Sequence, residues 1–278
     1  MKIIRKQKRR TPRQAFRPPA SSGSSRGRIR LWAVAVWLLA WELLSIYIGQ
    51  EILLASPAAV LVRLFALVTG GGNAAEAIQF WSAAAFSFLR IIGGFLAASA
   101  AGVLLACLAG FFRPLSDLLA PAMAALKAVP VASFIILVLI WIPSRNLSVV
   151  ISFLMVLPIV YTNVLNGIRS MDGQLLEMAQ LFQVPLGRRI RYIYLSQLLP
   201  FLRTAFSLSL GLCWKAGIAA EVIGIPDGSI GERLYEAKVY LMTADLFAWT
   251  LVIVVLSISF EKCFLWAVDR LVARLEQS

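Results

Sequence analysis

Long uninterrupted apolar runs dominate this chain from residue 31 onward, and they constrain its fold more than any other feature. Crossing the core of a bilayer takes about 20 residues of helix at 1.5 Å per residue. Six runs meet that length, and in lipid a single segment satisfies its backbone hydrogen bonds only as a helix, so we predict an all-α membrane protein. The predicted spans are Leu31–Ile48, Phe86–Phe112, Leu115–Ile142, Leu147–Ile168, Phe201–Ile223 and Leu246–Val268.

The composition agrees with a membrane protein. The chain is 60% hydrophobic and 15% charged, against about 45–50% and 25% in soluble domains. The connections between the runs are too short to hold a second core, which predicts one membrane domain over residues 31–278. The first run is predicted to be an uncleaved anchor, because it is long for a signal sequence and Glu42 interrupts it.

The distribution of charge predicts the orientation. Eleven of the 27 Lys and Arg residues lie in the first thirty positions, which predicts a disordered cytoplasmic tail over residues 1–30 that contacts anionic lipid. Nucleic-acid binding is not expected, since only Phe16 interleaves with the basic residues. With this tail inside, both termini and the loop near 169–199 are cytoplasmic. The stretch 50–85 is external and holds an interfacial helix ending at Gly70–Gly72, although one more span there would invert the topology.

Several kinds of chemistry are excluded. The chain has no histidine, and its three cysteines lie in apolar runs without metal-ligand spacing, so we expect no metal site and no His-based triad. There is no Gly-Lys pair, hence no phosphate-binding P-loop. We therefore expect neither a bound cofactor nor enzymatic activity in this chain.

Small residues recur at every fourth position of the second predicted span, which predicts a face for close helix packing in lipid. These are Gly94, Ala98, Gly102, Ala106 and Gly110. Pro130 and Pro158 each remove one helical hydrogen bond and are expected to kink or break the third and fourth spans. A packing kink and a flexible element of a transport path remain alternatives for Pro130.

Ionisable residues inside spans are costly unless they are paired or hydrated. Lys127, Lys215 and Glu221 are such residues and, with Pro130, are predicted to line a translocation path. Lys215 and Glu221 lie about 240° apart around one helix and so do not share a face. A structural ion pair and a substrate-facing role both remain open for Lys215.

The segment "QLLEMAQLFQVPLGRRIRYIYLSQLL" between the fourth and fifth spans predicts two short helices joined by a turn at Pro185 and Gly187. Spacing places Leu175, Ala179 and Phe182 on one face of the first helix. From periodicity alone, an amphipathic hairpin on anionic lipid would also fit.

This segment resembles the shared cytoplasmic loop of the integral membrane permeases of bacterial ABC importers. That loop has Glu-Ala-Ala, a glycine after three further residues, and a closing Leu-Pro. Glu177–Ala179 and Leu199–Pro200 match it, with Met178 as the middle residue, while Gln183 replaces the usual glycine and Ser196 an earlier proline. The stretches "FLRIIGGFLAASAAG", "ALKAVPVASFIILVLIW" and "AAEVIGIPDGSIGERLYEA" are also similar, most of all to the nitrate, sulfonate and taurine branch.

The resemblance implies a type I importer permease fold, called MetI-like, in a bacterial cell membrane. It implies two permease copies, two ATPase subunits that bind the ATP, and an external solute-binding protein. The solute would be a nitrate-, sulfonate- or taurine-like anion or a thiamine precursor. The residues it assigns to ATPase contact or to the adjacent turn are Glu177, Ala179, Gln183, Val184, Pro185, Gly187 and Arg188, and Pro200 would begin the fifth span.

Two other functional classes remain open. An ion-gradient-driven carrier would work without an ATPase, but inverted repeats with matching broken helices are not evident. A membrane-embedded lipid-modifying enzyme would need acid–base groups, for which the spans offer few candidates.

Overall fold

The computed structural model describes residues 31–277, and every regular element in that range is helical. The predicted basic tail, residues 1–30, lies outside the described residues. In chain order the helices are α1 Leu31–Ile48, α2 Pro57–Thr69, α3 Ala74–Phe111, α4 Arg113–Ala128, α5 Val131–Leu139, α6 Ser144–Arg169, α7 Gly173–Leu181, α8 Leu186–Arg189, a π-helical turn Ile190–Tyr194, α9 Leu195–Gly224, α10 Ile230–Val239 and α11 Thr243–Gln277.

The predicted all-α membrane class is confirmed. Four helices are long and apolar enough to cross a membrane: α3, α6, the continuous run Leu186–Gly224, and α11 as far as Arg270. Helices α4 and α5 qualify only together, as a pair bent by 104°. Helix α1 has the same bounds as the first predicted span, Leu31–Ile48. The six predicted spans therefore correspond to α1, the bent pair and the four longer helices.

Helices α3 and α6 pack in parallel along one shared face. A Cβ atom added at Gly94 would overlap the carbonyl oxygen of Val149, and one added at Gly110 would lie 2.9 Å from Ile168 Cγ2. Contacts that advance together along both helices mean that both begin on the same side of the membrane. The α4–α5 pair must then carry the chain back across, as a broken span and not as a re-entrant loop.

Helix α9 runs antiparallel to both of these helices, and α11 runs antiparallel to α9. The Ser152 hydroxyl donates to the carbonyl of Cys213 at 3.3 Å, and Gly167 of α6 packs on Phe201 near the start of α9. Arg203 of α9 pairs with Asp269 of α11 at 2.9 Å. Trp214, Phe95 and many aliphatic side chains are buried between these helices and form the core.

Charged residues separate to the two ends of this bundle. The end we call basic contains Arg113, Arg169, Arg188 and Arg270, and the end we call acidic contains Asp227, Glu232 and Asp245. This grouping agrees with the predicted arrangement of the loops. Assigning the basic end to the cytoplasm rests on the preference of Lys and Arg for that side.

Helix α2 ends where it was predicted to end, at the Gly70–Gly72 turn. Ser56 caps it by accepting from the Ala59 N–H at 3.2 Å, Pro57 occupies its first turn, and Gly70 ends it with a φ of 82°. The Trp41 indole donates to the carbonyl of Ala55 at 3.1 Å, which fixes the chain before α2. Helix α3 then starts twelve residues earlier than the predicted second span, because Asn73 caps it at Ala74.

Two prolines were expected to interrupt spans, and they behave differently. Pro130 breaks the third span, since α4 ends at Ala128 and α5 begins at Val131. Pro158 lies inside the continuous α6, where the Thr162 hydroxyl donates to its carbonyl at 2.7 Å. Pro200, which was expected to begin the fifth span, lies inside α9, so the helix that contains this span begins before it. Packed membrane helices tolerate the single lost backbone bond.

Candidate functional site

The basic-end connector, residues 170–194, joins α6 to α9. Asp172 caps α7 by accepting from the Gln174 N–H at 2.9 Å. Its own N–H donates to Gln197 Oε1 at 2.9 Å, which ties the connector to the first turns of α9. Arg189 Nη2 donates to the carbonyl of Leu176 at 3.4 Å. These contacts hold α7 at its beginning and leave its far end without a comparable tie among the described residues.

Helix α7 ends in a Schellman motif with glutamine at the position where glycine is usual. The Val184 N–H donates to the Ala179 carbonyl at 3.0 Å, and the Gln183 N–H donates to the Gln180 carbonyl at 3.0 Å. Gln183 has a φ of +52°, in the left-handed region that favours glycine. This geometry explains physically why the related loops carry glycine at the matching position.

The turn therefore lies at Gln183. The sequence had predicted it at Pro185 and Gly187. Pro185 precedes α8 with a φ of −60°, and Gly187 lies inside α8. The second predicted short helix is also not separate, because α8, the π-helical turn and α9 form one continuous helix. An open groove beside this turn is lined by Pro185, Gly187, Arg188, Arg191 and Tyr192.

Apolar side chains at the end of α7 face outward. Leu181, Phe182 and Leu186 are 81%, 73% and 72% exposed. Ala179 and Phe182 were predicted to lie on one face of this helix, but Ala179 is only 5% exposed. Phe182 points elsewhere because it already belongs to the turn. Glu177 is exposed and Val184 is half-buried. A cluster of large apolar groups outside the predicted spans is typical of a binding surface.

The acidic-end connector, residues 225–242, contains α10 and is hydrogen-bonded to a buried carboxyl group and its serine partner in the membrane bundle. Glu221 is 0% exposed, and its Oε2 accepts from the Ser87 hydroxyl at 2.6 Å. Ser87 in turn accepts from the Ile230 N–H at 2.9 Å, and Glu221 Oε2 from the Gly231 N–H at 3.4 Å. The first turn of α10 is thereby bound to α3 and α9. A Cβ atom at Gly231 would overlap Glu221, so glycine permits this approach.

Sequence reasoning identified Glu221 but missed Ser87 and Gly231, which hold it. Glu221 was predicted to line a translocation path, yet its carboxyl is enclosed by α3, α9 and α10. A glycine directly after the start of the capped helix was the available signal. Ser229 and Glu232 form that cap: Ser229 accepts from the Glu232 N–H at 3.0 Å, and Glu232 accepts from the Gly228 N–H at 2.6 Å.

Lys127 and Lys215, which were also predicted to line a translocation path, lie outside the hydrogen-bonded site around Glu221. Lys215 and Lys127 are both exposed. Lys127 lies three residues before the break at Pro130. Its Nζ donates to the Thr162 hydroxyl at 2.9 Å. The Lys215 ammonium and the Glu221 carboxyl are not an ion pair. The small residues of α3 lie against α6, with Ala98 and Ala106 fully buried there.

A bundle of antiparallel and parallel membrane spans, with a capped helix at one end and an apolar-tipped connector at the other, defines a multi-pass membrane protein. Comparison of the sequence with known families gives the class more closely. Residues 98–277, more than half of the chain, match the binding-protein-dependent transport system inner membrane component family, and the chain belongs to this family.

Relatives of known designation are of the same kind. The chain is 25% identical over 224 residues to the putative aliphatic sulfonates transport permease protein SsuC of Bacillus subtilis, covering 80% of this chain and 78% of that one. It is 24% identical to the taurine transport system permease protein TauC of Escherichia coli, with 82% and 81% covered. The nitrate import permease protein NrtB of Synechocystis is 24% identical, with 74% of each chain covered.

Proposed function

We propose that this chain is the membrane-spanning subunit of an ATP-driven importer for a small anion. In this proposal the basic-end connector docks on a separate ATP-hydrolysing subunit, two copies of the chain enclose the path, and an external binding protein delivers the solute. The single observation that carries the coupling is the exposed apolar tip of Leu181, Phe182 and Leu186. The names of the relatives mention sulfonates, taurine and nitrate, and this supports a solute that carries a sulfonate or nitrate-like anionic group.

The geometry of the connector supports transmission of force. The Schellman motif fixes the tip of α7 relative to Val184, and the following helix continues without a break from Leu186 to Gly224. A push on the tip is thus delivered directly to a membrane span. We assign Glu177, Ala179, Gln183, Val184, Pro185, Gly187 and Arg188 to the ATPase contact or to the adjacent turn, and the buried Ala179 belongs to the second group.

The test is a pair of substitutions at the tip with a matched control. Phe182→Ser and Leu181→Ser remove exposed side chains that are not among the buried residues, so the fold should persist. Each is expected to lower the affinity for the ATPase subunit by roughly thirtyfold, because one large apolar side chain is no longer buried in the interface. Copurification of the ATPase subunit with the tagged chain measures this loss. Phe111→Ser removes an aromatic of similar exposure at the same end of the bundle but outside the connector, and should retain the ATPase.

Energy dependence separates the remaining alternatives. Uptake of nitrate, taurine and an alkanesulfonate is measured in vesicles with ATP, or with an ion gradient and no ATP. Uptake that needs ATP supports the proposal. Uptake sustained by the gradient alone would establish an ion-driven carrier, and wild-type ATPase retention by both tip variants would remove the connector from the coupling.

A further inference from the structure

Lys215 and Lys127 are exposed on helices of the membrane-spanning bundle, and neither has an ion-pair partner among the described residues. Lys215 lies nine residues before the end of α9 at Gly224, about 14 Å from that end of the helix at 1.5 Å per residue. An ammonium facing lipid at such depth costs several kcal/mol. The ion pairs in residues 31–277 join Arg63 to Asp245, Arg203 to Asp269 and Arg233 to Glu236, and none of them includes a lysine.

The two sides of α9 around Lys215 differ sharply. A Cβ atom at Gly217 would lie 2.6 Å from Ile91 Cγ1, so that side is fully packed. A Cβ atom at Gly211, one turn before Lys215, would meet nothing within 4 Å. Leu208 and Lys215 on the same side are exposed, and Ala219 is half-buried. The lysine therefore belongs to an open strip of small and apolar residues.

Helix α5 packs on the turn of α9 that carries Lys215. Val131 and Phe134, just after the break at Pro130, lie with Ala216 of α9 in one apolar cluster. Lys127 lies on the other side of that break, in the last turn of α4, and its Nζ donates to the Thr162 hydroxyl of α6.

We propose that Lys215 and Lys127 line the translocation path and give it a preference for anions. This inference rests on the proposed function, because the opposite wall of the path is the second copy of the chain. Hydration in such a path explains how an exposed ammonium is accommodated without a carboxylate. The sign of both charges favours negatively charged solutes over cations and neutral molecules.

Charged thiol reagents test this without knowledge of the natural solute. Cys107, Cys213 and Cys263 are first replaced by alanine, and Gly211→Cys is introduced where there is room for a side chain. The reaction rates of anionic 2-sulfonatoethyl and cationic 2-(trimethylammonio)ethyl methanethiosulfonate are compared in inverted and right-side-out vesicles. Each rate is expressed relative to the rate of the same reagent with free 2-mercaptoethanol, because the cationic reagent is intrinsically faster towards thiolates. The anionic reagent should react faster by roughly tenfold, the preference should vanish in Lys215→Gln, and it should reverse in Lys215→Glu.

Three further cysteine positions serve as controls and as a test of the second lysine. Leu96 of α3 lies at a depth similar to Gly211, since Ile91 packs on Gly217 of the antiparallel α9. Its exposed side chain faces away from the proposed path, so Leu96→Cys should react with neither reagent. Ala219→Cys repeats the measurement one turn beyond Lys215, in case Gly211→Cys does not fold. Thiol reaction at Thr162→Cys, with and without Lys127→Gln, tests the second lysine in the same way.

The outcomes distinguish this inference from the proposed function. Equal rates for both reagents, or no reaction at Gly211→Cys and Ala219→Cys, overturn the anion path even if the ATPase subunit copurifies. A charge preference that depends on Lys215, in a chain that retains no ATPase, overturns the ATP-driven importer and keeps the anion path.

Discussion

The two connectors of this bundle differ in where their groups make contacts. The acidic-end connector turns inward: Ile230 and Gly231 donate their N–H groups to Ser87 and Glu221 in the core. The basic-end connector turns outward: Leu181 and Phe182 project from the end of α7 into open space.

Their similarity makes this difference informative. Each contains one short helix, α7 or α10, and each helix ends in a Schellman motif with a non-glycine residue in the left-handed region, Gln183 at φ +52° and Leu241 at φ +57°. The contrast therefore lies in the burial of the element and not in its local geometry. One connector is completed within its own chain, and the other is left to be completed by a partner.

Removing the buried carboxyl should have the largest effect on this contrast. Glu221→Ala leaves Ser87 and the Gly231 N–H without their acceptor and creates a cavity, which we expect to lower the free energy of unfolding by about 3 kcal/mol. The unfolding temperature in detergent and protease cleavage within residues 225–242 measure it. Glu236→Ala, in a partly exposed pair with Arg233, is the control and should cost less than about 1 kcal/mol. Equal stability of the two variants would mean that the acidic-end connector is not fastened through Glu221.

Ala179→Asp should produce a large but local effect at the other connector. Ala179 is buried, so an aspartate there moves a carboxylate out of water into packed surroundings, at a cost of about 2 kcal/mol or more. We expect α7 to unfold and both uptake and ATPase association to be lost, while membrane insertion and residues 225–242 remain intact. Limited proteolysis should show new cleavage only within residues 170–194. The exposed neighbour Gln180→Asp is the control, and wild-type uptake by Ala179→Asp would contradict the role of this connector.

Much of the fold could be predicted because the relevant signals are local. Hydropathy located both ends of α6, the end of α9 and the start of α11 to within a few residues, and Pro130 marked the one broken span among the described residues. The excess of arginines predicted which loops share the basic end. Each of these properties depends on residues that are close together in the sequence.

The rest depends on contacts between distant residues. Glu221 and Ser87 are 134 positions apart, so no local pattern indicates that the carboxyl is enclosed. The turn after α7 was misplaced because Pro185 and Gly187 are the usual turn residues, whereas the backbone reverses at Gln183. Pro200, which the resemblance placed at the start of the fifth span, lies inside the longer helix α9. The sequence identified the connector and its unusual glutamine, but tertiary packing decided the geometry.

The two left-handed residues provide the subtlest test of the contrast. Gln183→Gly and Leu241→Gly each relieve a backbone cost of about 1 kcal/mol, and both side chains are exposed, so little packing is lost. Because α10 is fastened to the core, Leu241→Gly should raise the unfolding temperature of the whole bundle. Gln183→Gly should only slow proteolysis within residues 170–194, because a weakly tied connector opens without the rest of the fold. Gln180→Gly, inside α7, has the opposite sign and should speed that cleavage. An equal rise in unfolding temperature for both left-handed variants would show that the basic-end connector is as firmly integrated as the acidic-end one.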